Sequence, residues 1–308
     1  MGGLHVVRLL DFEDGTTWLA RLQLRKGTAE SCQRLTAEVN TIQVVREQSK
    51  IRVPEVFGYD ASSDNPVGVP FMLLEYIPAI TAMDSFGGWE EHGGRIPQHF
   101  RTEYHASMAN IQVEMASIRF PMIGRIVKLS DGTFTVGELP GIGGPFKTAA
   151  DFFCAWADNS EFCFSEAFIR KRTPETAVDD IIRSIESFPA RLSRFARHYP
   201  FQSGPYPLTH SDLYSSNVLV DSQCRIKGEI DWESALVGPW EIFELIKKLA
   251  IVTPVLDGAF YRETQSDIIV ERKGYIQAIK DGERAMQFDN RLSETLENGT
   301  TQDLAHAF

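Results

Sequence analysis

The 308-residue chain has only four cysteines, Cys32, Cys154, Cys163 and Cys224, and no two stand in a C-x-x-C pair. That spacing excludes a zinc ribbon and a disulfide framework, and it fits a reducing, cytoplasmic setting. No apolar run approaches the ~18–20 residues of a membrane helix. The opening MGGLHVVRLLDFEDG carries acids where a signal peptide has its apolar stretch. Gly2 invites a myristoylation reading, but Val6 stands where that motif wants Ser or Thr. Excess positive charge is absent too: the net charge is −11, which speaks against nucleic-acid binding. Such a charge suits a cationic small-molecule partner, or nothing beyond solubility. Internal repeats and low-complexity tracts are also lacking.

What is present reads as a folded protein, 43% hydrophobic and 24% charged. HVVRLLDF and TTWLARLQL form a hairpin around Asp14-Gly15. Leu35, Val39, Ile42 and Val45 predict a helix over roughly 28–48. EVFGYD and PFMLLEYI add two strands, so the first ~80 residues make a small antiparallel sheet with one helix. Beyond Pro78 a long amphipathic helix is expected over about 97–119, then a hairpin at Asp131-Gly132. Further helices are expected near 147–170, 174–199 and 239–252, with polar helices and loops after them.

The chemistry concentrates in LTHSDLYSSNVLVD, Leu208 to Asp221. His210, Asp212 and Asn217 crowd the entrance to an apolar strand, and Asp231 ends the next strand, KGEID. A hairpin of those strands opens both ends on one edge, so Asp212, Asn217 and Asp231 can converge. Two oxygen ligands, Asn217 and Asp231, suit Mg²⁺, while Asp212 can accept a hydroxyl proton. Phosphoryl transfer requires both functions.

H-x-D-x4-N followed by a strand ending in Asp resembles the catalytic core of the protein-kinase-like superfamily. THSDLYSSNVLVD, GEIDWE and GPWE are most similar to the aminoglycoside phosphotransferase (phosphotransferase enzyme) family, particularly its fungal members. WLARLQL, VPEVFGYD, NPVGVPFMLLEYI, FPMIGRI and GGPF extend the likeness over about residues 4–255. The resemblance implies an α+β, bilobal fold: an antiparallel-sheet lobe over 1–80 and a larger, mainly helical catalytic and acceptor lobe over 81–308. It implies ATP and Mg²⁺ as cofactors and a small-molecule kinase activity. Asp212 would be the catalytic base, His210 its brace, and Asn217 and Asp231 the metal ligands. Glu75 to Ile77 would be the hinge against adenine. Arg21 would pair with Glu38 in the nucleotide lobe. Independently, Glu38 shares the apolar stripe of its helix, where a carboxylate is costly unless paired.

The pattern departs from the family at three places. Arg21 stands where the superfamily usually has lysine. The resemblance implies a first strand and a glycine-rich turn ahead of HVVRLLDF; the strand is expected to be absent here, with Gly2 and Gly3 read as remains of the turn. Only a short stretch separates Asp231 from Pro239, too short to cradle a peptide, so a small-molecule acceptor is expected. A catalytically inactive, ligand-binding pseudokinase is the rival reading.

Other patterns are weaker. GELPGIGGPFKT lacks the G-K-[ST] of a P-loop and reads as a loop entering a helix near Pro145. His92, His99 and His105 fit no single helix face and read as surface residues. A metallohydrolase would need more His or carboxylate ligands than His210 and Asp212 supply. Asp151, Asp158, Glu161 and Glu166 could line an acidic acceptor pocket or simply face solvent. The five tryptophans suit a core or an interface.

Overall fold

The computed structural model describes residues 5–92, 96–162, 165–198, 203–243 and 265–298. The expected hairpin is β1 (His5–Asp11) and β2 (Thr17–Gln23). Helix α1 (Ala29–Gln48) follows, with Thr28 and Ser31 forming a reciprocal capping box at its start. Strands β3 (Val56–Asp60) and β4 (Phe71–Glu75) complete a four-stranded antiparallel sheet in the order β1-β2-β4-β3. Alternation puts Met72 and Leu74 on the face covered by α1, where they pack with Leu35 and Val39. Each such side chain contributes ~1.5–3 kcal/mol on burial.

Strand β5 (Ile80–Thr81) leaves this sheet and pairs with a strand far along the chain. Helix α2 (Gly88–His92) is short, and α3 (Arg101–Ser117) is the long amphipathic helix, entered through a 3-10 turn over Gln98–Phe100. Tyr104, Met108, Met115 and Ile118 are buried along α3, whereas Ile111 is only partly covered. Strand β6 (Arg119–Phe120) precedes the hairpin β7 (Arg125–Lys128) and β8 (Phe134–Gly137). That hairpin lies against α1, with Arg125 donating to Gln33 at 2.9 Å and Lys128 to Gln43 at 3.1 Å.

The expected 147–170 helix is broken. It ends as α4 (Ala149–Asp158), and Ser165 caps a separate α5 (Glu166–Arg172). Ser165 accepts from Phe168 N, a bond that starts a new helix instead of continuing the old one. Pro145 sits in the loop before α4, whose cap is Thr148, so the loop does not enter the helix at proline. Helix α6 (Glu175–His198) packs on α4. Strand β9 (Tyr206–Thr209) leads into the hairpin β10 (Val218–Val220) and β11 (Ile226–Glu229), and β12 (Leu236–Val237) pairs back onto β9. Of the helix expected over 239–252, the described residues show only a 3-10 turn, Trp240–Ile242, ended by an extended Phe243; the remainder lies outside the described residues. Helices α7 (Gln265–Met286) and α8 (Arg291–Glu297) are the last elements among the described residues, with α7 along α3.

Trp232, Tyr206, Phe152, Phe153, Met108 and Met115 are among the largest fully buried side chains of the second core. Trp156 and Trp240 are buried as well, while Trp18 stacks with Phe57 on the outer side of the small sheet. The side chain of Trp89 lies outside the described residues. His105 is buried against Tyr275, contrary to the surface position expected of it, because it falls on the inner face of α3. His99 is exposed beside Phe100, and the side chain of His92 is not among those described.

Candidate active site

The loop between β9 and β10 is tied at His210 and Asn217 to Ile230, at the end of the β10–β11 hairpin. His210 is buried and its Nε2–H donates to Ile230 O at 3.0 Å, with its ring 4.5 Å from that of Trp232. Burial pushes the imidazole pKa down, against the pull of the Ile230 carbonyl and of Asp212. Ser211 then takes φ 61, which turns the chain and sets Asp212 outward. Asn217 donates from Nδ2 to the Asp212 carboxylate at 2.9 Å and to its carbonyl at 2.7 Å. Ile230 N donates to Asn217 O at 3.0 Å, which ties this loop to the residue before Asp231. Asp231 has φ 67 and ψ 59, a left-handed corner that turns its carboxylate out of the strand.

From the small sheet, Arg21 crosses to meet it. Its Nη2 donates to Asp231 Oδ1 at 2.9 Å and to Glu233 Oε2 at 3.0 Å, and it lies 3.2 Å from His5 Nδ1. Nη1 donates to Glu38 of α1, so the expected Arg21–Glu38 contact is present. One guanidinium thus faces three carboxylates. Burial works against the Arg21 charge, yet Glu38, Asp231 and Glu233 together raise its pKa. Burial raises the Glu38 carboxyl to about 7, with Arg21 pulling the other way. Glu233 is also raised by burial. His5 is lowered to about 4 by burial and by Arg21.

The donor set fits a hard cation. Asn217 has committed its amide nitrogen to Asp212, which leaves Oδ1 as an acceptor. Arg21 takes only Oδ1 of Asp231. One amide and one carboxylate oxygen, completed by water and phosphate, match the habits of Mg²⁺. Among the described residues no group of three or more His, Cys, Asp or Glu gathers to hold a metal, so a metallohydrolase centre has no support there.

At the other end of β4, Arg52 grips the Glu75 carboxylate with both Nη atoms, and burial is outweighed by this clasp in holding that carboxyl low. The Glu75 amide is occupied by Glu55 O at 2.8 Å. The Ile77 N–H, in a buried residue, has no partner among the described residues, while its carbonyl accepts from Ala79 N at 2.8 Å. Four side chains escape the sequence reasoning. Val7 lies opposite Arg21 and Leu9 opposite Leu19, so both face the Arg21 side of the sheet, and they are 48% and 50% exposed. Their alternation along β1 was the available signal. Glu233 and Arg52 gave none, because each acts on a partner distant in sequence. Asp151, Asp158, Glu161 and Glu166 are all exposed, and two serve their own helices: Asp151 accepts from Thr148 at 2.7 Å and Glu166 from Arg170 at 2.8 Å.

A small sheet with one helix, a larger helical part, and a loop-and-hairpin centre facing the cleft define a kinase-like phosphotransferase fold. The phosphotransferase enzyme family model matches residues 5–265, and the chain belongs to that family. Solved structures of the same fold include the macrolide 2'-phosphotransferase MphH from Brachybacterium faecium, 13% identical, with TM-score 0.50 over 100% of this chain and 88% of that one. A thermostable mutant of aminoglycoside phosphotransferase APH(4)-Ia, in ternary complex with AMP-PNP and hygromycin B, is 15% identical with TM-score 0.50 over 98% of this chain and 82% of that one. Among curated proteins, a 55-residue segment is 44% identical to altered inheritance of mitochondria protein 9 of Candida glabrata, covering 18% of this chain and 8% of that protein. A 77-residue segment is 36% identical to a subtelomeric hrmA-associated cluster protein of Aspergillus fumigatus, covering 25% of this chain and 15% of that protein. The matched segments are thus a small part of the length of these curated relatives. No helix among the described residues is long and apolar enough to cross a membrane.

Proposed function

We propose that this chain is a cytoplasmic enzyme that moves the γ-phosphate of ATP to a hydroxyl of a small molecule. The observation that carries the reading is the Asp212–Asn217 bond at the mouth of the hairpin, beside Asp231 and its Arg21 contact. Residues 1–80 form the nucleotide lobe and 81–308 the catalytic and acceptor lobe. The Glu75 carbonyl and the Ile77 N–H meet adenine, and Val7, Leu9 and Leu19 roof it. Arg21, held by Glu38, faces the phosphates. Asn217 and Asp231 would hold Mg²⁺, which when bound neutralises phosphate charge. Asp212 accepts the proton of the acceptor hydroxyl while the acceptor's oxygen bonds the γ-phosphorus and the bond to the β–γ bridging oxygen breaks, releasing ADP. His210 only positions the loop. A protein of this fold has been solved with AMP-PNP and hygromycin B, a nucleotide analogue and a small molecule together. The acidic chain suits a cationic acceptor.

A ligand-binding protein without turnover is the second reading. It is favoured by Arg21 engaging Asp231 directly, which would compete with metal. Titration with Mg-ATP and a panel of alcohols separates the two. At ~100 times Kd a nucleotide adds roughly 2.7 kcal/mol to stability. Asp212→Asn is expected to abolish transfer and keep most nucleotide binding. Absence of any thermal shift at millimolar Mg-ATP defeats the kinase reading.

A further inference from the structure

A cavity of about 410 Å³ opens between the end of β2 and the start of α1, lined by Arg25, Lys26, Arg34, Leu24, His5 and Glu233 among others. Its volume is in the range of small-ligand sites. Its charge is opposite to that of the chain as a whole. Arg25 and Lys26 form no hydrogen bond or ion pair among the described residues, and both are exposed. Arg34 is joined to Glu30 at 2.9 Å. Glu233, the acid on the wall, shares Arg21 with Glu38 and Asp231, at 3.0 Å from its own oxygen. Arg25 and Lys26 still outnumber it on the cavity wall.

The segment that carries them is pinned in place. Gly27 N donates to Ser63 Oγ at 2.7 Å, and Gln23 N to Pro70 O at 3.0 Å. A side chain at Gly27 would strike Pro70 Cγ at 2.7 Å, so the turn is packed tightly against the neighbouring loop. Two adjacent cations on a turn whose backbone is held, beside a cavity, can converge on one anion there. The amino end of α1 adds little of its own, since Thr28 already satisfies Ser31 N.

We propose that this cavity binds a phosphate-bearing small molecule through Arg25 and Lys26. Two sources share that chemistry: the phosphate tail of a nucleotide reaching past His5 and Glu233, or a separate phosphorylated compound. Only the first rests on the phosphotransferase reading.

The test uses inorganic phosphate as probe, followed by thermal shift and by phosphorus NMR at low salt, where such contacts are strongest. The wild-type chain should bind phosphate saturably. Arg25→Glu/Lys26→Glu should weaken it by about tenfold or more. Lys171→Glu/Lys273→Glu, which changes the net charge equally at exposed positions away from the cavity, should leave it intact. No saturable binding up to tens of millimolar, or equal loss in both double variants, overturns the proposal. If the nucleotide is the source, ATP displaces phosphate and the first variant weakens ATP but not adenosine. If a separate compound is the source, phosphate and ATP bind together and ATP affinity is unchanged. Saturable phosphate binding in a chain that ignores both ATP and adenosine would sink the transfer reaction and leave this site standing.

Discussion

Replacing Arg21 with methionine tests whether the charge cluster between the lobes is held as described. Glu38 is 3% exposed and loses its cation, whereas Asp231 and Glu233, at 39% and 20%, can turn toward water. The burden therefore falls on Glu38. Breaking a buried pair costs about 3–5 kcal/mol unless the remaining charge is neutralised. Glu38 can neutralise by keeping a proton. In the wild type its folded pKa is raised to about 7 from an ordinary 4.5, so folding is favoured below the lower value and that advantage fades as pH rises to the upper one. Between about pH 6 and pH 8 the wild type should lose ~1 kcal/mol through this group, the decline ending once the carboxylate ionises. Without Arg21 the folded pKa rises further. The decline then continues at ~1.4 kcal/mol per pH unit, about 2–3 kcal/mol over the same interval. Urea unfolding at both pH values measures it. Adding Glu38→Gln to Arg21→Met should remove the excess slope that Glu38 carries; Glu233, which also loses Arg21, is alike in these two variants and cancels between them. Equal slopes in the wild type and both variants would refute the buried pair.

Two further outcomes follow from the same contacts. Asn217→Ala and Asp231→Asn should each raise the magnesium concentration needed for half-maximal nucleotide binding by ~10-fold or more, read by titration at fixed ATP, with little change in metal-free adenosine binding. Arg52→Ala frees the Glu75 carboxylate beside the proposed hinge and should raise the KM for ATP several-fold while kcat changes less. A fall in kcat alone would show that Arg52 does not act through the proposed hinge.

The sequence made the small sheet legible because its signals are local. Asp14-Gly15 marks the first turn, and Thr28 with Ser31 marks the start of α1. The loop from His210 to Asn217 was legible because its residue types and spacing are rare together. Periodicity could not reveal the break between α4 and α5, since apolar residues continue through Phe162 while a serine cap intervenes. Glu229 illustrates a different limit. In the strand pattern it reads as an outward polar residue, yet it is fully buried with no hydrogen-bond partner for its carboxylate among the described residues, and burial raises its carboxyl to about 8. It lies near Tyr104 of α3 and Tyr275 of α7, and neither helix is encoded near residue 229. Likewise the four partners of Arg21 come from positions 5, 38, 231 and 233, and only the pairing with Glu38 leaves a trace in one helix.

Backbone strain is placed at the two turns that aim the acids. Ser211 and Asp231, neither of them glycine, adopt φ 61 and φ 67. Such conformations cost ~1–2 kcal/mol each and persist only where surrounding bonds fix them. Here Ile230 supplies both restraints: its carbonyl accepts from His210 and its amide donates to Asn217. The two corners are thus locked to each other, and relaxing one displaces the other. Ser211→Gly removes the local strain but loosens the unfolded chain, so stability should change by less than ~1 kcal/mol. Ser211→Val cannot take the left-handed turn and should cost ~2 kcal/mol or more. Because the strain is shared, the valine variant should also lower the magnesium dependence of nucleotide binding, although residue 211 touches no proposed ligand. A valine variant as stable as the glycine one, with unaltered metal response, would show that the two corners are independent.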